Sequence, residues 1–196
     1  MLGTPDEKIP EKLKKKSKCD RCISGLLFAL GIFVLFAYTK AGVLQLLNCS
    51  VSVLLLWYFS VYDMKTRTIS AAPVYAAFAL IFLLRFFAVC RFEIEKIPVF
   101  MLECIAVFIA LYVLSRFFKG KIGNGDFDIA YIIYLSIGLT GLFYAFIVAC
   151  VLSLVLNMRR IINNRKNIKT FSVPFIPYMY IGYVTVLLFL KEAIAV

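Results

Sequence analysis

Long apolar runs alternate with short polar segments along most of the chain. After a polar and basic stretch at 1–21, the apolar runs lie at 23–39, 42–62, 70–91, 97–118, 127–138, 140–157 and 173–190. Because an α-helix rises 1.5 Å per residue, about 20 apolar residues cross ~30 Å of hydrocarbon. The pattern therefore predicts an all-α fold, a polytopic membrane helix bundle with six to seven apolar segments.

The stretch from 127 to 157 is too long for one ordinary crossing and short for two. Gly138 and Gly141 weaken a helix in its middle, which favours a break there. Basic residues also favour two crossings, because cytoplasmic loops collect Lys and Arg. With a cytoplasmic N-terminus and two crossings, the cytoplasmic side holds most of the 22 Lys and Arg residues, in groups at 12–21, 65–67, 116–121 and 159–169. We therefore predict seven segments, with 127–138 short and a candidate for a re-entrant segment.

The same pattern predicts two regions, a basic cytoplasmic tail at 1–21 and a membrane-embedded domain at 22–196. A basic stretch before an apolar run is also typical of a signal peptide. However, the run that ends near Tyr38 lacks a small-x-small cleavage site, and further apolar runs follow it. We interpret it as a retained first helix in a multi-pass protein of the cytoplasmic (inner) membrane.

Composition narrows the classes of function. A hydrophobic content of 63% and a mean hydropathy of +0.92 exclude a soluble domain of 196 residues. The net charge of +11 collects on the predicted cytoplasmic side, which favours anionic membrane lipid over nucleic acid as a partner. The absence of histidine excludes imidazole-dependent catalysis. Cys19 and Cys22 supply two ligands where a structural zinc site needs four, so we expect no metal site.

Four of the 11 acidic residues lie in or beside the apolar segments: Asp63, Glu103, Asp126 and Asp128. Ionisable groups are costly there and are functional candidates by default. Glu103 lies near the predicted outer end of its segment and is interpreted as interfacial. Asp128 follows Asp126 by two residues, about 200° around a helix, and is interpreted as a first-turn acid favoured by the helix dipole.

Asp63 ends the second segment and Asp126 begins the fifth, and the two crossings between them return the chain to the same face. Each alone is interpretable as a helix-end charge that balances nearby basic residues. Two carboxylates at one depth can instead share a proton, one acting as general base on a water and the other as acid. Gly123 and Gly125 precede Asp126; they lack side chains and permit positive φ, so they allow a backbone turn that substrate can approach.

Three motifs, in this order, resemble the type IV prepilin peptidases and the related archaeal preflagellin peptidases. They are Asp63 with Ile69 six residues later, Gly123-Asn124-Gly125-Asp126, and Val173-Pro174-Phe175-Ile176-Pro177-Tyr178. The resemblance covers residues 55–190. It implies an aspartic endopeptidase without cofactor, with Asp63 and Asp126 catalytic. Its substrates would be membrane precursors resembling pilins or flagellins, cut after a short basic leader at the cytoplasmic face.

The basic residues that flank the two aspartates are topology determinants and candidate contacts to substrate or lipid: Lys65, Arg67, Lys119 and Lys121. The chain departs from the family pattern at Ser70, where Pro is common, at Asp128, where Lys often follows the aspartate, and at Ile176, which replaces a Gly. It lacks the cysteine-containing insertion of larger members, so we expect no methyltransferase activity. The oligomeric state stays open.

Three alternatives remain. Presenilin-type intramembrane proteases also pair Tyr-Asp, here Tyr62-Asp63, with Gly-x-Gly-Asp, but they carry a Pro-Ala-Leu motif that this chain lacks. A small transporter would use the aspartates to bind a proton or cation beside a broken helix, and internal symmetry, which would favour it, is not apparent. An inactive scaffold of a secretion system is the third.

Overall fold

The chain folds into helices wherever its structure is described. The computed structural model describes Gly25 and residues 43–66, 70–118, 123–163 and 174–189, and these ranges contain no strand. The α-helices in them are α1 (Val43–Thr66), α2 (Ala71–Phe92), α3 (Ile97–Phe117), α4 (Asn124–Asn163) and α5 (Ile176–Phe189), and a 3-10 turn at Ile94–Lys96 joins α2 to α3. The all-α prediction is confirmed for this part of the chain.

Within the described ranges, four helical stretches are long and apolar enough to cross a membrane: Leu44–Thr66, Ala71–Phe92, Ile94–Phe117 and Gly125–Met158. The helix α5 is also apolar, but its 14 residues extend only about 21 Å. The predicted segment at 23–39 lies outside the described residues apart from Gly25. The total of six to seven segments and the cytoplasmic N-terminus therefore stay predictions.

The predicted fifth and sixth segments lie in α4, an element of 40 residues in which two helical stretches meet at a kink at Gly138. Gly138 has φ 77° and ψ −179°, a conformation that is essentially restricted to glycine. The weak point that the sequence places at 138–141 is thus present. Because the backbone at Gly138 is non-helical, the helical stretches before and after it form two parts of α4 that meet at a kink.

The short helix α5 occupies the centre of the described bundle. Most of its residues are buried, and it packs mainly against α4, with α1 as its second neighbour. Gly182 approaches the backbone carbonyl of Ala145 so closely that a Cβ atom would collide with it. Pro177 lies in the first turn, where its missing N–H breaks no helical hydrogen bond.

The helix α3 lies at the periphery, and Cys104 is its buried residue. The hydroxyl of Tyr131 in α4 donates a hydrogen bond to the Cys104 carbonyl, 3.2 Å away, and so links α4 to α3. The Tyr131 ring also packs edge-on against Phe78 of α2 and Phe108 of α3, each with a centroid distance of 5.4 Å. These contacts hold α2 and α3 as an antiparallel pair beside α4. The end of α1 and the beginning of α4 therefore lie at the same end of the bundle.

Candidate active site

Asp63 lies in the last turn of α1, on the face of that helix that points into the bundle. Buried positions recur along α1 at the three- and four-residue spacing of one helical face. They are Cys49, Ser52, Val53, Leu56, Phe59, Ser60 and Asp63. Asp63 is only 7% exposed, so the helix holds this carboxyl group inside the protein. This burial argues against the interpretation of Asp63 as a helix-end charge that only balances nearby basic residues, because such a charge would lie at the surface.

Asp126 is the third residue of α4, and a pair of hydrogen bonds ties it to Gly123. Its backbone N–H donates to the Gly123 carbonyl at 3.0 Å, and the Gly123 N–H donates back to the Asp126 carboxylate. This is the reciprocal pattern of a capping box, in which the third helical residue accepts from the N–H of the residue before the helix. The beginning of α4 therefore orients the carboxylate.

Gly123 matters because it lacks a side chain. A Cβ atom there would lie 3.3 Å from Oδ2 of Asp126, closer than an ordinary van der Waals contact. Among the described glycines Gly138 has positive φ, whereas Gly125 is part of the regular first turn of α4. The motif thus forms a helix start against which the carboxylate packs.

The fold brings the two predicted aspartates together. The carboxyl groups of Asp63 and Asp126 lie close enough to interact electrostatically. One comes from the C-terminal end of α1 and the other from the N-terminal end of α4, so the two helix dipoles act on them in opposite senses. This arrangement can hold one ionised and one protonated carboxyl group side by side, as acid–base catalysis by two carboxylates requires.

The other candidates have more varied surroundings. Lys65 is exposed in the last turn of α1, while Arg67, Lys119 and Lys121 lie outside the described residues. Asp128 is half-buried and forms no ion pair or hydrogen bond with any residue of the described ranges. Its angular offset of about 200° from Asp126 points it away from the pair. No group of three or more acidic or cysteine side chains in these ranges is arranged to hold a metal ion.

Sequence reasoning missed Ser60. It lies three residues before Asp63 on the same buried face of α1 and is fully buried. The signal was its spacing from the aspartate, which places both side chains on one side of a helix. A serine in an apolar helix is common, however, and only the packing shows that this one faces the interior.

The described part of the chain is thus a helical bundle with membrane-length helices and two buried or half-buried aspartates that meet at one end. A profile of the type IV leader peptidase family matches residues 50–158, a range that includes Asp63 and the segment Gly123–Asp126. The chain belongs to this family, and the resemblance found in the sequence is confirmed. The matched range ends before the proline motif at 173–178. No curated protein and no solved structure gives a significant match to the chain.

Proposed function

We propose that this protein is a membrane aspartic endopeptidase that removes the leader peptide from type IV pilin-like or flagellin-like precursors at the cytoplasmic face. The observation that carries the proposal is the meeting of Asp63 and Asp126 in a chain that belongs to a leader peptidase family. Membership supports a peptidase, and the paired carboxylates support the aspartic type of chemistry.

The positions of the two aspartates favour a division of roles. The dipole of α4 stabilises an anion at its N-terminus, so Asp126 is the general base. Asp63 lies at the opposite kind of helix end and is more deeply buried, so it carries the shared proton. Asp126 takes a proton from water as the water oxygen bonds to the scissile carbonyl carbon, and Asp63 donates its proton to the carbonyl oxygen. When the C–N bond breaks, the leaving amine takes the proton from Asp126, and Asp63 regains its own from the collapsing hydroxyl.

The proposed substrate class follows from the resemblance to the prepilin and preflagellin peptidases, and the position of the pair at a helix boundary is compatible with it. A precursor whose apolar helix lies in the membrane presents the bond just outside that helix at the same depth. The basic groups near the pair favour the cytoplasmic side, and Lys65 is exposed there to meet anionic lipid or substrate. Arg67, Lys119 and Lys121 are proposed to have the same role.

The decisive test is the pair of variants Asp63→Asn and Asp126→Asn. Each keeps the size of the side chain and removes its acid–base function, so cleavage of a co-incubated precursor should fall by at least about 100-fold. Mass spectrometry of the product measures the loss and locates the cut bond. Comparable yields of both purified variants from membranes control for insertion. Full activity of either variant would refute the proposal, and cleavage within the apolar helix would favour the presenilin-type alternative.

The kink in α4 favours a second candidate, a proton- or cation-coupled transporter, because such proteins bind their ions at broken helices. The kink at Gly138 lies 12 residues beyond Asp126, about 18 Å along the helix, so the break and the carboxylates do not form one site. Ion flux into proteoliposomes without precursor cleavage would support this candidate, whereas cleavage without flux would exclude it.

A further inference from the structure

Ser60 is a buried hydroxyl group one turn before Asp63 on the same face of α1. It precedes Asp63 by three residues, which is about 4.5 Å along the axis of α1. Both side chains belong to the buried face of the helix, and Ser60 is 0% exposed. No group in the described ranges forms a hydrogen bond with its Oγ. A polar atom with these surroundings is unusual in a folded protein.

Other hydroxyl groups in the described helices form hydrogen bonds with backbone carbonyls of their own helix. Ser50 and Ser52 of α1 donate to the carbonyls four residues earlier at 2.7 and 2.8 Å, and Thr185 of α5 does the same at 2.8 Å. Ser60 has the same kind of acceptor in the carbonyl of Leu56 but does not use it. Its hydroxyl is therefore buried in the bundle without the local acceptor that the other hydroxyl groups use.

A buried hydroxyl without a hydrogen bond destabilises a protein, and ordered water is the usual partner where protein groups supply none. A buried water needs two to four polar partners. Ser60 offers one, the carboxyl group of Asp63 one turn further along α1 offers a second, and Asp126, which interacts with Asp63, offers a third. The apolar neighbours Leu56 and Phe59 are fully buried on the same face, which confines such a water to the side of the aspartates.

We propose that Ser60 binds a water molecule near Asp63 and Asp126 and orients it for attack by the pair. Ser60 is then a positioning residue that acts through this water. The catalytic use of the water rests on the proposed peptidase function, whereas the water site itself stands independently of it. No covalent bond to Ser60 forms, because the hydroxyl only exchanges hydrogen bonds with the water.

The test compares Ser60→Ala with Ser52→Ala in the full-length protein. Both serines belong to α1 and are 0% exposed, but Ser52 donates to a backbone carbonyl of its own helix. We expect Ser60→Ala to lower kcat for precursor cleavage roughly tenfold, as one lost hydrogen bond implies, with KM unchanged within about twofold. Ser52→Ala should change neither constant. The thermal unfolding midpoint of each purified variant verifies that it is folded.

A second measurement does not depend on cleavage. Infrared spectra of the purified protein record the stretching band of the protonated carboxyl group, assigned by its loss in Asp63→Asn. Loss of the bound water should move this band to higher wavenumber in Ser60→Ala and leave it in place in Ser52→Ala. If the wild type cleaves no precursor while the band shifts in this way, the peptidase proposal fails and the water site stands.

A different result would contradict the water site without affecting the peptidase proposal. If Ser60→Ala retains the wild-type kcat, leaves the carboxyl band in place and raises the unfolding midpoint, its hydroxyl was an unsatisfied group without a water. That outcome overturns the inference about Ser60 and leaves the peptidase function intact.

Discussion

A single backbone contact controls the orientation of the Asp126 carboxylate. Gly123 donates its N–H to this carboxylate and accepts the N–H of Asp126, so four residues form a closed unit at the start of α4. The sequence pattern Gly-x-Gly-Asp indicated a flexible turn, whereas the structure shows a helix cap. The difference arises because glycine provides two properties, conformational freedom and the absence of Cβ, and the sequence does not show which one a site uses.

Gly123→Ala tests this role. The new Cβ would lie 3.3 Å from Oδ2 of Asp126 and displace the carboxylate by a few tenths of an ångström. We expect kcat to fall about tenfold, because small misplacements of reacting groups are costly, while KM and stability stay near the wild-type values. Steady-state kinetics and thermal unfolding measure both effects. Gly141→Ala, 18 residues further along the chain, is the control, and an unchanged kcat in Gly123→Ala would contradict the assigned role.

Asp128→Asn tests whether the neighbouring acid belongs to the pair. Asp128 is turned about 200° from Asp126 on α4, so it is expected to contribute no acid–base chemistry. The variant should cleave the precursor at a rate within about threefold of the wild type. A larger loss would indicate a direct role of Asp128 in the general acid–base step. A loss as large as that of Asp126→Asn, measured in the same precursor assay, would place Asp128 in the catalytic machinery.

The packing of α5 against α4 is the main contact between elements in the described bundle, and it depends on Gly182. The backbone carbonyl of Ala145 occupies the space beside Gly182, so the two helices approach more closely than any side chain would allow. Small residues permit such close approach between membrane helices. The sequence predicted both helices but not their pairing, because a glycine in an apolar run does not show which neighbour it faces.

Gly182→Ala and Gly141→Ala form a matched pair that tests this contact. At Gly182 the added methyl group meets backbone, which must shift, so we expect a loss of about 1–3 kcal/mol in the free energy of unfolding. At Gly141 it meets side-chain atoms of Ile137, with Cγ1 at 2.7 Å, so some crowding remains, but a side chain shifts more readily than backbone and the better helix propensity of Ala offsets part of the loss. Thermal unfolding in detergent should rank Gly182→Ala clearly below Gly141→Ala, and equal midpoints would contradict the packing.

At the scale of the whole molecule, the orientation in the membrane can be tested by reporter fusions. The predicted topology puts reporters fused after Arg67, Lys121 and Lys166 in the cytoplasm and a reporter fused after Glu95 outside, since basic groups favour the cytoplasmic side. A reporter active only in the cytoplasm should be active at three positions and inactive after Glu95. An inactive fusion after Lys166 alone would show that residues 127–157 cross the membrane once.

The sequence by itself determined the helical class, the approximate limits of the helices and the pairing of the aspartates. The predicted runs 70–91 and 97–118 agree with α2 (Ala71–Phe92) and α3 (Ile97–Phe117) to within one residue at each end. Asp63 and Asp126 meet because two crossings separate them, and an even number of crossings returns a chain to the same face. Length and alternation are sufficient for these conclusions.

Only the tertiary structure decided which helix is central, what Gly123 does and where Ser60 points. The helices are apolar on all sides, so hydrophobicity does not distinguish a face covered by lipid from a face covered by protein. The short α5 is therefore central and the longer α3 peripheral without a sign of either in their composition. Burial of a single hydroxyl or the room beside one glycine depends on the atoms of other helices, and their positions are fixed only when the whole bundle has packed.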